Sequence, residues 1–178
     1  MTASASNKTN IVLIGMPGCG KSTLGVILAK ELGLDYADTD LLIQRQYGKL
    51  LKDIIAERGV EGFLKAEEDV CAAVDLYNSV IATGGSVVYG KRAMEHLREN
   101  GLIVYLRLPY ETIQKRLADL QLRGVALKEG QDLKGLYEER VPLYEQWADL
   151  VIEEDGLDLE QTLSETVKNL LVLSFKRR

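Results

Sequence analysis

The chain has 178 residues, of which 46% are hydrophobic and 28% are charged, and its formal net charge is −5. This length and composition suit one globular domain with a core of its own. The acidic balance argues against a nucleic-acid binder, which usually carries a basic surplus. No apolar run approaches the roughly 20 residues that a membrane helix needs. We therefore expect neither a nucleic-acid partner nor a membrane partner.

Residues 1–9 are mostly small and polar and contain no apolar segment typical of a signal peptide. We expect them to form a disordered tail before a single domain at residues 10–175. The two cysteines, Cys19 and Cys71, match no metal or redox pattern, and the single histidine offers no zinc site. A reducing, cytoplasmic location is expected. We also expect a monomer.

Short apolar runs alternate with helical patterns along this domain. Strands are predicted at Asn10–Ile14, Leu34–Ala37, Ser79–Ala82, Ile103–Leu106 and Leu150–Ile152. Helices are predicted at Lys21–Leu32, Asp40–Tyr47, Leu51–Arg58, Glu61–Tyr77, Lys91–Asn100, Tyr110–Leu120, Gln131–Trp147 and Asp158–Leu173. Continuously apolar strands are typical of sheets covered on both faces. The alternation predicts an α/β fold with a parallel sheet and helices on both faces.

One segment, Leu122–Gly130, fits neither pattern. It reads LRGVALKEG, contains two glycines and lies between two predicted helices. It is either a mobile lid, at about residues 120–130, or an ordinary surface loop.

The segment GMPGCGKST, residues 15–23, lies between the first predicted strand and the first predicted helix. Glycines let the backbone approach a ligand closely, and successive N–H groups at a helix start form an anion site. Lys21 adds a positive charge for the β- and γ-phosphates, and Ser22 supplies an oxygen ligand for Mg²⁺. The segment therefore predicts a site for a nucleoside triphosphate with magnesium.

Polar groups follow the second and third predicted strands. Asp38 and Asp40 end the second strand, and alternate residues of an extended segment point the same way. One carboxylate would order a magnesium-bound water, and the other would accept a proton from, or orient, an attacking hydroxyl. Alternatively, Asp40 only caps the next helix. Gly84 and Gly85 at the third strand would let backbone amides approach a ligand.

These motifs together resemble the shikimate kinase family of P-loop kinases. The matching segments are GMPGCGKST (15–23), DTD (38–40), GVEGFLKAEEDV (59–70), ATGGSVV (82–88) and ERVPLYEQWAD (139–149). The resemblance covers most of the chain. It implies a sheet of strand order 2-3-1-4-5, with ATP as phosphoryl donor, Mg²⁺ as cofactor and shikimate as acceptor.

The resemblance also implies a role for each matching position. The implied nucleotide-binding residues are Gly15, Gly18, Cys19, Gly20, Lys21, Ser22, Thr23 and Arg116, and the implied metal-site residues are Ser22 and Asp38. The implied acceptor-binding residues are Asp40, Glu67, Gly84, Gly85 and Arg140. The implied catalytic residues are Lys21, Asp40 and Arg123. Asp40 would act as the base, and Arg123 would close over both substrates from the lid.

The sequence departs from the family pattern at three places. Leu64 stands where an arginine should bind the acceptor's carboxylate, Ser86 replaces a third glycine, and residues 123–127 read RGVAL. Losing one charge-assisted contact costs about 1.5–3 kcal/mol. Glu67, which resembles that arginine's partner, either lacks its usual cation or pairs locally with Arg58 or another surface cation.

Three functions follow from these observations. The first is phosphorylation of shikimate. The second keeps the kinase chemistry with another acceptor such as a hydroxy amino acid, whose carboxylate would meet Arg140 and whose ammonium would meet Glu67. The third is a nucleotide-binding regulatory protein without acceptor chemistry, which the presence of both Asp38 and Asp40 disfavours.

Overall fold

The computed structural model describes residues 8–117, 125, 126 and 128–173. Its sheet has five strands, all parallel, in the order β2-β3-β1-β4-β5. The strands are β1 (Asn10–Ile14), β2 (Asp35–Asp38), β3 (Ser79–Ala82), β4 (Gly101–Arg107) and β5 (Leu150–Glu153). The predicted fold class and strand order are therefore confirmed.

Seven α-helices lie within the described ranges. They are α1 (Lys21–Leu32), α2 (Thr39–Tyr47), α3 (Leu51–Cys71), α4 (Lys91–Asn100), α5 (Tyr110–Arg116), α6 (Leu133–Trp147) and α7 (Leu159–Val172). A short 3₁₀ turn occupies Val87–Tyr89. Right-handed crossovers place α1 on one face of the sheet, where it contacts α7, and place α3 and α4 together on the other.

The central strands are fully covered, which explains their continuous apolar sequence. All five residues of β1 are buried, and β4 is buried over six of its seven residues. The first turns after β1, β2, β3 and β5 all lie at the carboxyl edge of this sheet, which is where parallel α/β proteins bind ligands. The fold thus brings the phosphate-loop, aspartate and glycine motifs to one edge.

The structure corrects the helix predicted at Glu61–Tyr77, which ends at Cys71. The apolar pattern continues beyond that point because Val74 and Leu76 pack on the core from the segment that leads into β3. The predicted break before this helix is real, since Gly59 has φ 70° and ψ 175°, outside the helical range. The helix predicted at Tyr110–Leu120 is helical to Arg116, and residues 118–120 lie outside the described residues.

The predicted disordered tail lies mostly outside the described residues, but its last two residues contact the domain. Lys8 Nζ donates to Asp149 at 2.8 Å, and Thr9 N donates to the Asn100 carbonyl at 2.9 Å. None of the helices in the described ranges has the length and hydropathy needed to cross a membrane.

Candidate active site

The phosphate loop connects β1 to α1 and depends on glycine at its ends. Gly15 has φ 146°, and a Cβ there would lie 2.7 Å from the Leu106 carbonyl oxygen. Gly20 caps α1 with φ 106°, a conformation that other residues rarely adopt. These angles turn the loop's backbone around the start of the helix, as an anion site requires.

Lys21 lies inside this loop. Its side chain is 7% exposed, and Nζ donates to the carbonyl oxygens of Gly15 at 2.8 Å and Met16 at 2.9 Å. The loop's own carbonyls therefore hold the ammonium at the site where its amides can bind phosphate.

Asp38 and Ser22 form a pair of hard oxygen ligands beside the loop. Ser22 Oγ donates to Asp38 Oδ2 at 2.8 Å, and the Tyr36 hydroxyl donates to the same oxygen at 3.2 Å. Ser22 is exposed. A serine hydroxyl and a carboxylate, with phosphate oxygens and water, make a donor set that suits Mg²⁺.

Asp40 is not the helix cap that was considered as an alternative. Asp38 is the N-cap of α2, and its Oδ1 accepts from the Asp40 backbone N–H at 3.0 Å. The Asp40 carboxyl does not cap the helix and instead lines the cleft. Burial and the charge of Asp38 raise its pKa to about 6, against the opposing effect of Lys21. Asp40 is therefore an ionised base of moderate strength at neutral pH.

Gly84 and Gly85 leave space that charged side chains occupy. A Cβ on Gly84 would lie 2.3 Å from Glu67 Oε1 and 2.9 Å from Asp40 Oδ1. A Cβ on Gly85 would lie 2.8 Å from Pro17 and 3.1 Å from Nη1 of Arg140. Any larger residue at these positions would displace those groups, which explains the two glycines.

Glu67 is a buried carboxyl that faces this cleft. It is 1% exposed, and its Oε1 has no hydrogen-bond partner among the described residues. Burial raises its pKa to about 7, an effect that the nearby Ser86 hydroxyl opposes. The alternative pairing with Arg58 is wrong, because the Arg58 guanidinium lies 4.7 Å above the ring of Tyr47.

Arg140 supplies the buried cation across from Glu67. It is 1% exposed, its Nε donates to the Tyr89 hydroxyl at 3.3 Å, and an Nη donates to the Ala126 carbonyl at 3.3 Å. Within the described ranges, no carboxylate forms an ion pair with it. A guanidinium with neutral partners remains available to an anion.

Most of these groups line a single cleft of about 470 Å³, and Asp38 is not among the lining residues. Its lining comprises Pro17, Gly18, Gly20, Lys21, Ser22, Thr23, Asp40, Leu51, Phe63, Glu67, Thr83, Gly84, Gly85, Ser86, Val125, Ala126 and Arg140. Leu64 is not among the lining residues and packs instead against a small apolar cluster that includes Phe63 and Ala126, which do line the cleft.

On the other side of the phosphate loop lie Arg116 and two buried groups. Arg116 Nη1 donates to the carbonyl oxygens of Gly18 and Cys19, at 3.4 Å each, so this side chain lies beside the phosphate loop. Cys19 is 1% exposed, and burial raises its pKa, so the thiol is a packing group. Burial also raises the pKa of Glu154 to about 7, partly offset by Arg116 and Lys21.

The structure thus brings most of the predicted site residues together, while Arg123 lies outside the described residues. Sequence reasoning missed three tyrosines: Tyr36, which donates to Asp38, Tyr89, which accepts from Arg140, and Tyr144, whose hydroxyl donates to the Gly85 carbonyl at 2.6 Å. Sequence spacing could have indicated two of them: Tyr36 lies two residues before Asp38 on β2, and Tyr144 lies four residues after Arg140 on α6, so each shares a face with a predicted site residue. Spacing offers no such signal for Tyr89.

The raised pKa of Glu67 predicts a pH-dependent stability. The usual pKa of 4.5 applies to the unfolded chain and about 7 to the folded protein. The folded protein binds the Glu67 proton more tightly than the unfolded chain does, and this difference stabilises the fold. That contribution to the free energy of unfolding is fully present below about pH 4.5 and is lost as pH rises through about 7. The glutamine in Glu67→Gln cannot ionise. The free energy of unfolding of this variant should therefore rise relative to that of wild type between about pH 5 and pH 8.

Denaturant unfolding at several pH values measures this difference. Glu61→Gln changes an exposed position of the same helix and is the matched control, for which no pH-dependent gain is expected. Parallel stability curves for wild type and Glu67→Gln would contradict the assigned environment of Glu67.

Comparison with known proteins identifies relatives of the whole domain. The family model described as "Shikimate kinase" matches residues 17–171. A shikimate kinase from Clostridium botulinum is 36% identical over 168 residues, covering 93% of this chain and 98% of its own. One from Nostoc punctiforme is 40% identical over 171 residues, covering 91% and 92% respectively.

Solved structures give the same result. A shikimate kinase from Acinetobacter baumannii in complex with shikimate superposes with a TM-score of 0.81, at 31% identity, covering 97% of each chain. A shikimate kinase from Aquifex aeolicus gives a TM-score of 0.78 at 27% identity, covering 93% of this chain and 98% of its own. Family model, relatives and fold agree, and the chain belongs to the shikimate kinase family of ATP-dependent P-loop kinases that use Mg²⁺.

Proposed function

We propose that the chain transfers the γ-phosphoryl group of ATP to a hydroxyl of shikimate, giving shikimate 3-phosphate. The observation that carries this proposal is one cleft that joins the phosphate-loop ammonium of Lys21, the carboxylate of Asp40 and the buried guanidinium of Arg140. The likeness to a kinase solved with shikimate supports the choice of acceptor. Phosphoryl transfer needs positioning and charge stabilisation more than covalent catalysis, and these three groups supply both.

On the donor side, Lys21 and the loop amides hold the β- and γ-phosphates. Ser22 and Asp38 are the residues that would hold Mg²⁺, which offsets phosphate charge when bound. Gly15, Gly18, Cys19, Gly20 and Thr23 form the loop and the start of α1. Arg116 lies over the loop on the side away from the acceptor groups, where the nucleoside would extend.

On the acceptor side, Arg140 binds the carboxylate of shikimate, and Asp40 takes the proton from the attacking hydroxyl. The oxygen of that hydroxyl then bonds to the γ-phosphorus, and ADP leaves. Gly84 and Gly85 keep the cleft open for the ring, and Glu67 accepts hydrogen bonds from hydroxyls. A pKa of about 6 suits Asp40 to this role, because general bases work best near the operating pH.

The segment at about residues 120–130 is proposed as a lid that carries Arg123 over the transferred group. Its described residues Val125 and Ala126 already line the cleft, which supports the assignment. Lys128 forms an ion pair with Glu139 at 2.8 Å and Gly130 has φ 75°, so the segment's end is tied to α6 through a left-handed turn. Closure would exclude water, which competes with the acceptor.

We also propose that the protein acts as a monomer in the cytoplasm, without a nucleic-acid partner. Two buried free thiols suit a reducing compartment, and a net charge of −5 disfavours binding to phosphodiester backbones. Lys21, Asp40 and Arg140 of one chain supply the groups that the proposed transfer uses, so the chemistry requires no second copy.

Turnover of shikimate with ATP and Mg²⁺, followed by mass spectrometry of the product, tests the function. Lys21→Ala should lower kcat by roughly 10²–10³-fold or more, because the cation that stabilises the transferring phosphoryl group is lost. Lys30→Ala, an exposed change near the end of the same helix, is the control and should retain activity. A Lys21→Ala enzyme with near-normal kcat would place the active site elsewhere.

Asp40→Asn should lower kcat by roughly 10²–10⁴-fold, the usual contribution of a general base, and leave ATP affinity largely intact. In wild type, kcat/KM should fall as pH drops through about 6, since protonated Asp40 accepts no proton. Asp35→Asn, an exposed change on β2 just before the aspartate motif, is the control. Loss of ATP affinity with kcat preserved would instead assign Asp40 to the metal site.

The lid proposal predicts slower backbone hydrogen exchange at about residues 120–130 when ATP analogue and shikimate are both bound. Ordering of the segment over the cleft would protect its amides. Residues 155–158, which are mostly exposed, serve as an internal reference for unchanged exchange. Equal exchange with and without ligands in both segments would rule out a closing lid.

A further inference from the structure

The acceptor half of the cleft contains two buried carboxyls side by side. Glu67 Oε1 and Asp40 Oδ1 both lie within 3 Å of one point, the Cβ position of Gly84, at 2.3 and 2.9 Å. No described lysine or arginine forms an ion pair with either of them. Burying a charge without a partner is costly, so this pair favours a ligand that brings a cation.

The opposite charge lies one residue along the same backbone. Nη1 of Arg140 is 3.1 Å from the Cβ position of Gly85, and Nε and Nη2 of the same guanidinium donate to the neutral oxygens of Tyr89 and Ala126. Glu67 and Arg140 thus border the same cleft without forming an ion pair with each other. A ligand that satisfies both must carry a positive and a negative group a few bonds apart.

An α-amino acid has that arrangement. Its ammonium has three N–H donors, enough for Glu67 Oε1 and Asp40 Oδ1 together, and its carboxylate matches the forked donors of a guanidinium. We propose that this cleft also phosphorylates hydroxy amino acids, with the ammonium on Glu67 and Asp40, the carboxylate on Arg140 and the side-chain hydroxyl towards the γ-phosphate. This inference rests on the proposed kinase function of the same site.

The reaction balances as the shikimate reaction does. The side-chain hydroxyl oxygen bonds to the γ-phosphorus, and the bond from that phosphorus to the β,γ-bridging oxygen breaks. ADP takes the electron pair of the broken bond, and the hydroxyl proton passes to Asp40. The second oxygen of the Asp40 carboxylate remains for that proton while the first contacts the ammonium.

The test compares shikimate with L-serine, L-threonine and L-homoserine and with their N-acetyl derivatives, all with wild-type enzyme. We expect at least one of the amino acids to be phosphorylated. N-acetylation removes its positive charge and should lower kcat/KM by roughly 30-fold or more, the cost of breaking a buried charge pair. This comparison needs no mutant and is independent of folding.

Glu67→Gln then assigns the charge to its residue. This variant should lower kcat/KM for the amino acid more than kcat/KM for shikimate, so that the ratio of the first to the second falls by roughly tenfold or more. Glu61→Gln, exposed on the same helix, should leave that ratio unchanged.

Each outcome decides between the proposals. Turnover of shikimate without turnover of any of the three amino acids would overturn this inference and leave the proposed function standing. Turnover of neither class would overturn both. Amino acids that react equally well after N-acetylation, or an unchanged ratio in Glu67→Gln, would show that the carboxyl pair does not recognise an ammonium.

Discussion

The central constraint on this molecule is the burial of opposite charges in one cleft at the carboxyl edge of the sheet. Lys21, Glu67 and Arg140 are each less than a tenth exposed, and Asp40 lies among them. Such groups lose hydration and must regain it from fixed partners or from a ligand. Loop carbonyls serve Lys21, and neutral oxygens serve Arg140. The glycine pair Gly84–Gly85 makes the arrangement possible, because a side chain there would occupy the same space.

The two aspartates show how local geometry separates functions that sequence alone leaves open. Asp38 ends β2 and Asp40 lies in the first turn of α2, and both belong to the same motif. Asp38 is held from three sides, by Ser22, by Tyr36 and by the Asp40 amide, and these hydrogen bonds fix it beside the phosphate loop. Asp40 lies in a drier place with a neighbouring negative charge, so its pKa rises to about 6. Two carboxyls only two residues apart thereby have different surroundings, one hydrogen-bonded beside the phosphate loop and one facing the cleft.

The sequence predicted the parts of this site that depend on local pattern. Phosphate binding at residues 15–23 follows from glycine conformations and one lysine, which need no knowledge of the fold. Strand order came from resemblance to a family, since apolar runs alone do not specify which strands are neighbours. The end of α3 at Cys71 was missed because Val74 and Leu76 continue the apolar pattern while packing in a non-helical segment.

Long-range packing decided what local pattern could not. Glu67 lies on the buried face of α3 with Phe63 and Val70, whereas Arg58 precedes the break at Gly59 and lies over Tyr47. The spacing puts Glu67 on the apolar face, but only the packing of the whole domain shows that this part of the face borders the cleft. Similarly, Tyr89 reaches Arg140 from a 3₁₀ turn 51 positions earlier in the chain. Lys65, next to Leu64, instead pairs with Asp69 at 3.2 Å on the exposed face, so it does not replace the missing arginine.

Charge balance in the cleft bears on the choice of acceptor. Of the described ionisable side chains that line the cleft, Lys21 and Arg140 are cationic and Asp40 and Glu67 anionic, a formal sum of zero when all are charged. Shikimate would add a negative charge, and a hydroxy amino acid would add none. Leu64 packs against the apolar cluster that includes Phe63 and Ala126 and adds no charge to this balance. By this balance alone, a zwitterion adds no uncompensated charge to the described lining, whereas an anion adds one.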